Sequence, residues 1–397
     1  MILLSWPKII AEIERLKPTT IEAYLRISET PNPLNLDIRW DDFRALPGDE
    51  RQKRVIKALA ADARHRRLRP PAEAINVLTV GALHDDQSGD WNLPRAVVPY
   101  VDEELPSPIN AQGMGYRRAV KPEILAPGGR VVLLERMGTN PNATCDIYTG
   151  TLAPGQKVAA PGSAPGDLTA AWYTRGTSNA TALTSRAAAI LYDVLEELRN
   201  EPGGELIDDI PPAVWLKTLL IHAAEWGQAG NVLDNILRSP ENSRQFKEYV
   251  TRLLGYGRID ASRVRECAEH RVTALSGGRL GNDQAHVHRF PLPPSLSGQR
   301  GWRRLTITLA WLTPVNPAHQ NWRRAALWFA PPKDLLRVER QQAHWQAVRR
   351  GTVQHEILEG TRASAFVDGV NLEIQVNCAA DAGALAVSYT HLTLPTN

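Results

Sequence analysis

Gly176-Thr177-Ser178-Asn179-Ala180-Thr181 places a serine where a long helical pattern begins. Free backbone N–H groups and the dipole at a helix N-terminus favour nearby negative charge, so an oxyanion formed by acyl transfer to Ser178 could be held there. Gly176 lets the chain turn tightly, with Thr177 between it and the serine, and Ala180 removes bulk where the helix must pass close to neighbouring backbone. These features suit an exposed nucleophile on a rigid support. Taken alone, the pattern is weak, because a serine before a helix is usually just an N-cap, and only its context can reverse that reading.

Other residue groupings carry weaker chemistry. His286 and His288 lie two apart in an expected strand and share a face, as two metal ligands would, but no third ligand accompanies them and they read as structural. Trp302, Trp311, Trp322, Trp328 and Trp345 could form a carbohydrate platform, although aromatic residues in a β-rich region more usually make its core. The cluster Arg64-His65-Arg66-Arg67-Leu68-Arg69 reads as a solvated helix end whose charge complements the C-terminal dipole. No carboxylate cluster suggests a cation site, and no cofactor is implied.

The elements that must position Ser178 follow from periodicity. Residues 1–70 read as a helical segment: Ile9, Ile10, Ile13 and Leu16 recur at helix spacing, and Val55, Ile56, Leu59, Ala60 and Ala63 repeat it. Pro70-Pro71 breaks that pattern, and Ile75 to Val80, ending at Gly81, reads as a buried strand. Strands and glycine- or proline-rich turns alternate to about Thr174. The helix after Ser178 is small and apolar on nearly every face in its first half, as a helix driven through a core would be. A second helix is expected over Ala213 to Trp226, entered from Pro211-Pro212, and a third from about Ser243 to Leu254, stopped by Gly255 and Gly257. From 271 to 386 short strands such as LTITLAWL and VNLEIQV suggest an appended β-sandwich. The last residues, 387–397, resemble a translated adapter sequence and are set aside as a tail foreign to the natural chain.

Composition narrows the function classes. The chain has 397 residues, 43% of them hydrophobic, which suits a globular protein of two or three domains. Its 46 basic and 43 acidic residues are mixed along the sequence, without the concentrated field that nucleic-acid binding uses. The opening MILLSWPKIIAEIERLK has too short an apolar run for a signal peptide or a membrane span. Cys145, Cys267 and Cys378 are far apart and odd in number, favouring a reducing, cytoplasmic setting over a disulfide framework.

The motifs gain meaning from their order. Asn76 to Ala82 (NVLTVGA) comes first, then Lys121 to Gly129 (KPEILAPGG), Pro154 to Gly162 (PGQKVAAPG), Gly176-Thr177-Ser178, Lys217-Thr218-Leu219-Leu220, and Gly255 to Ala261 (GYGRIDA). This series resembles the subtilisin-like serine peptidases, the subtilase family, over roughly Pro70 to Arg265. Three positions depart from the family pattern: Glu123 stands for an aspartate, Asn179 for a methionine, and Ala182 for the proline that ends the nucleophile motif.

The resemblance implies an α/β fold over 71–270 with a mostly parallel sheet, and hydrolysis of protein or peptide substrates by an endopeptidase. In that chemistry Ser178 attacks the scissile carbonyl, a histidine takes its proton, and an aspartate orients the histidine. Neither the aspartate turn nor the histidine helix of the family is visible, so the chain resembles the C-terminal part of such an enzyme and is expected to be almost inactive alone. As substitutes, Asp37 and His65 read as surface groups, His84-Asp85-Asp86 as a loop after a strand, and His222 as a helix or core histidine. Asn32 is a weak candidate for the oxyanion amide. Two alternatives remain: a non-catalytic binding module in which Ser178 only caps a helix, and an esterase, against which the lack of G-x-S-x-G argues.

Overall fold

The computed structural model describes residues 33–396 apart from 103, 137–141, 240–245, 266–270, 293, 295–296, 299, 317, 333–337, 342–348, 362–368 and 383–386. The expected helix bearing Ile9 to Leu16 therefore lies outside the described residues, as do Asn32, Cys267 and Trp345.

In chain order the elements are β1 (Leu34–Asn35), α1 (Trp40–Ala45), α2 (Gly48–Ala61), β2 (Val80–Leu83), β3 (Ile124–Pro127), β4 (Leu133–Glu135), β5 (Thr144–Ile147), β6 (Gln156–Ala159) and β7 (Ala171–Thr174). There follow α3 (Thr177–Arg199), α4 (Glu205–Asp208), α5 (Pro212–His222), β8 (Ala224–Glu225), α6 (Gly227–Leu237), α7 (Phe246–Leu254), β9 (Arg258–Ile259) and α8 (Ser262–Arg265). The remainder is all strand: β10 (Ala274–Leu280), β11 (Ala285–Pro291), β12 (Arg303–Trp311), β13 (Ala325–Phe329), β14 (Glu339–Arg340), β15 (Val353–Gly360), β16 (Asn371–Ala380) and β17 (Val387–Thr396).

The mixed α/β part is built around a four-stranded sheet of order β2-β3-β9-β8. β2 and β3 run parallel, with Val80 opposite Ile124 and Leu83 opposite Pro127, and β9 continues parallel to β3. Helix α3 crosses β2 and β3 on its first turns. The contact is made by Ala180 against Ala82, Ala126 and Ile109, all buried. Small side chains there bring helix and sheet backbones together, which is why this end of α3 is fixed in place.

Several expectations need correction. β2 begins only at Val80, because the backbone groups of residues 75–79 are mostly taken by side chains. Lys217 Nζ reaches the carbonyls of Ile75 and Asn76, Lys121 Nζ that of Val77, and Glu123 Oε2 accepts from Thr79 N. A chain so engaged cannot also form a ladder. Helix α3 is not driven through the core: its buried positions are Ala180, Thr184, Leu191 and Leu195, one stripe, while Leu183 and Ile190 are exposed. Small apolar residues in its first half serve close approach on one face only. The helix expected to reach Trp226 stops at His222, and β8 and α6 follow, a break hidden by continuous apolar sequence.

In the C-terminal part, all pairing is antiparallel, in one sheet of order β10-β17-β12-β15-β14 and another of order β11-β16-β13. Residues 387–396, set aside in the sequence as a tail, form β17 between β10 and β12. Leu305, Ile307, Leu309 and Trp311 of β12 join Leu327, Phe329, Leu372, Ile374 and Val376 in one apolar cluster to which both sheets contribute. The alternate residues of β12 face the other way, toward α5, and Ala310 and Val353 belong to the cluster that contains Leu220 and Trp226. Of the tryptophans, Trp311 and Trp322 are buried, Trp328 is half-buried and Trp302 is exposed.

Candidate active site

The turn after β3 and the start of α3 are locked together. Gly176 N donates to Gly128 O at 2.8 Å, and Asn179 Nδ2 donates to the same carbonyl at 3.2 Å. A Cβ on Gly128 would lie 2.3 Å from Ala82 Cβ, so only glycine fits between strand and motif. Gly176 has φ 146° and ψ 173°, a conformation that glycine alone adopts readily. Just before it, Arg175 donates to the carbonyls of Gly150 (2.7 Å), Leu152 (2.7 Å) and Pro154 (2.5 Å) and stacks over Tyr148. Sequence reasoning missed this arginine, since no spacing rule connects residue 175 to a loop more than twenty residues earlier.

Ser178 sits at the second position of α3 and is exposed. The N-cap is Gly176, and no side chain makes a cap hydrogen bond there. Backbone amides in a first helical turn have no partner within the helix, so the hydroxyl lies beside donors suited to an oxyanion. Thr177 and Thr181, on either side of Ser178, line a cleft of about 360 Å³ whose other walls include Pro70, Leu78, Val80 and Asn110. Asn110 is buried, and its amide is committed: Oδ1 accepts from Ala82 N at 2.9 Å and Nδ2 donates to Ala82 O at 2.7 Å, closing the edge of β2.

The histidine and acid candidates lie elsewhere. His84 is buried, its Nδ1 accepts from Val131 N at 3.3 Å, and its ring meets Tyr100 edge-on. Burial, reinforced by Arg130, holds its pKa down at about 3. Asp86 binds Ser88 and Arg130, and Asp85 lies 3.9 Å from Arg258, so the three neighbours shape a turn and make no dyad. His65 pairs with Asp62 in the turn beyond α2, and Asp37 accepts from Asn142 Nδ2 at 2.9 Å. His222 is buried with Nδ1 2.9 Å from Thr308 Oγ1. Ser276 Oγ lies 2.6 Å from His288 Nδ1, and His286 and His288 meet ring to ring at 6.1 Å. Among the described residues no group of three or more His, Cys, Asp or Glu could hold a metal ion. Nor does any described histidine hydrogen-bond to Ser178.

Residues 60–257 match the model of the subtilase family. This region belongs to that family. The subtilase region takes in β2, β3, the glycine turn, the Ser178 helix and α5 to α7, and its end coincides with Gly257, whose φ of 113° closes the turn into β9. Over 325 residues the chain is also 25% identical to the uncharacterized protein y4bN of Sinorhizobium fredii (strain NBRC 101917 / NGR234), covering 80% of this chain. The match spans 64% of that relative's length. No described helix is long and apolar enough to cross a membrane.

Proposed function

We propose that the protein is a serine endopeptidase acting on protein or peptide substrates, with Ser178 as its nucleophile and no cofactor. One observation carries this reading: an exposed serine, free of any capping role, in the first turn of a rigidly held helix beside a cleft. Ser178 Oγ attacks the scissile carbonyl, and first-turn amides of α3 stabilise the oxyanion. The histidine that takes the proton, and the aspartate that orients it, come from outside the described residues. The two C-terminal sheets read as a β-sandwich that backs the subtilase region.

Without the histidine, turnover falls by on the order of 10⁶, with about 10³ to 10⁴ over water remaining. The 397 residues alone are therefore expected to be nearly inert. Expressed with whatever reading frame precedes Met1 in its gene, the protein should take up one fluorophosphonate at Ser178, located by peptide mass mapping, and Ser178→Ala should take up none. A folded protein that stays unlabelled would favour the binding-module reading instead.

A further inference from the structure

A second cleft, of about 340 Å³, lies where the subtilase region meets the C-terminal sheets. Arg117 from the loop before β3 lines it, together with Trp322 and Arg323 ahead of β13, Arg349 and Arg350 ahead of β15, and Asp381 after β16. Arg323 is committed to the fold: it pairs with Asp381 at 2.9 Å and donates to Gly351 O at 2.7 Å. That pair is neutral. Arg117, Arg349 and Arg350 remain, and among the described residues no carboxylate pairs with any of them. Three positive charges thus line one cleft, within reach of each other's field.

The backbone spends strain to arrange this. Arg117 and Arg118 are consecutive non-glycine residues with φ of 53° and 63°, a left-handed conformation unfavourable for both. The turn sends them apart: Arg118 pairs with Glu248 on α7, while Arg117 faces the cleft and is anchored by one N–H to Gln320 O at 3.0 Å. Trp322 is buried, and its edge-to-face contact with Tyr116 at 4.9 Å fixes the floor.

We propose that this cleft binds a phosphoryl group. A single carboxylate would bring one negative charge to three guanidinium groups. A phosphoryl group brings close to two on three acceptor oxygens, which suit the planar, forked donors of arginine. The group can arrive as inorganic phosphate or pyrophosphate, or as an ester on a peptide. The assignment does not depend on the role of Ser178.

Isothermal titration of the intact chain with pyrophosphate, and separately with a phosphoserine peptide, tests it at constant ionic strength set by sodium chloride. One-to-one binding is expected from at least one of the two, and which one binds identifies the source. The variant Arg349→Gln/Arg350→Gln should weaken it at least tenfold, since each bidentate charge-assisted contact is strong. Arg349 is exposed and Arg350 half-buried, and circular dichroism checks the fold; Arg117→Gln serves as a second variant with the same expected direction. Absence of binding by both probes, equal binding to the variants, or binding only of a glutamate-rich peptide of equal charge overturns the proposal.

Discussion

Two regions of the molecule hold hydroxyl groups that invite the word nucleophile, and they differ in every respect that matters. At the start of α3, Ser178 is exposed and no described imidazole reaches it, although the backbone around it is tightly fixed. Between α5 and the C-terminal strands, Thr308 Oγ1 lies 2.9 Å from His222 Nδ1 and 2.7 Å from His355 Nδ1, a hydroxyl between two histidines. Yet that trio is buried, and burial holds His355 at a pKa of about 3. A general base works best with a pKa near the operating pH, so His355 is some four units too weak. The comparison teaches that a hydroxyl–imidazole distance identifies a hydrogen bond, while access and basicity decide whether it can do chemistry. The buried trio joins α5 to β12 and β15; the lone serine is exposed, between two threonines that line a cleft.

The largest effect that sharpens the contrast is in pH. His84 and His355 both have folded pKa values near 3, below the ordinary 6.5, so the folded chain binds fewer protons than the unfolded one between those values. Stability should therefore be level above pH 6.5 with respect to these groups and fall as pH drops, by roughly 1.4 kcal/mol per pH unit for each. Above about pH 4.5 the carboxylates whose pKa is lowered, such as Asp86 and Glu225, do not yet contribute. Urea unfolding between pH 6.5 and 4.5 measures the slope, to which His288, held by burial at about 4, also adds, and His355→Gln should lower it by between about a third and a half. An unchanged slope would mean that His355 is charged or open to solvent, and the contrast with Ser178 would fail.

Next in size is Thr308→Val, which keeps shape but removes the shared hydroxyl. A loss of about 2 kcal/mol is expected from chemical denaturation, the usual cost of leaving buried polar partners unsatisfied. Fluorophosphonate labelling of Ser178 should not change. The smallest effect is that of Ser178→Ala on stability, expected within about 0.5 kcal/mol, as for a surface group without a partner. A loss above about 1 kcal/mol would revive the capping role that the position of Gly176 argues against.

The sequence made parts of this legible for physical reasons. The motif order located the turn at Gly128-Gly129 and the start of α3, because close backbone contact demands glycine or alanine at those positions and leaves a mark in the letters. The stop at Gly255 and Gly257 was legible for the same reason, with φ of 59° and 113°. The break between α5 and α6 was not, since Ala223 and Ala224 are buried and apolar like the helix before them. Nor was the irregular course of residues 75–79, whose β-branched run reads as a buried strand while distant lysines take up its carbonyls. The Thr308 trio joins residues more than forty positions apart, and its members look like any threonine or histidine in a strand or helix.

Asn76 carries a consequence for where this protein can be cut. Its side chain exchanges two hydrogen bonds with the backbone of Thr313, while Lys217 Nζ meets Thr352 Oγ1 at 2.8 Å. Leu78 and Val80, just beyond Asn76, are walls of the cleft beside Ser178. The match to the subtilase model ends at residue 257, but the mechanical unit continues past it. A gene fusion or library that transplants 60–257 alone would leave behind the Thr352 partner of the buried Lys217 and both partners of the Asn76 amide, and would inherit a loosened substrate wall with them.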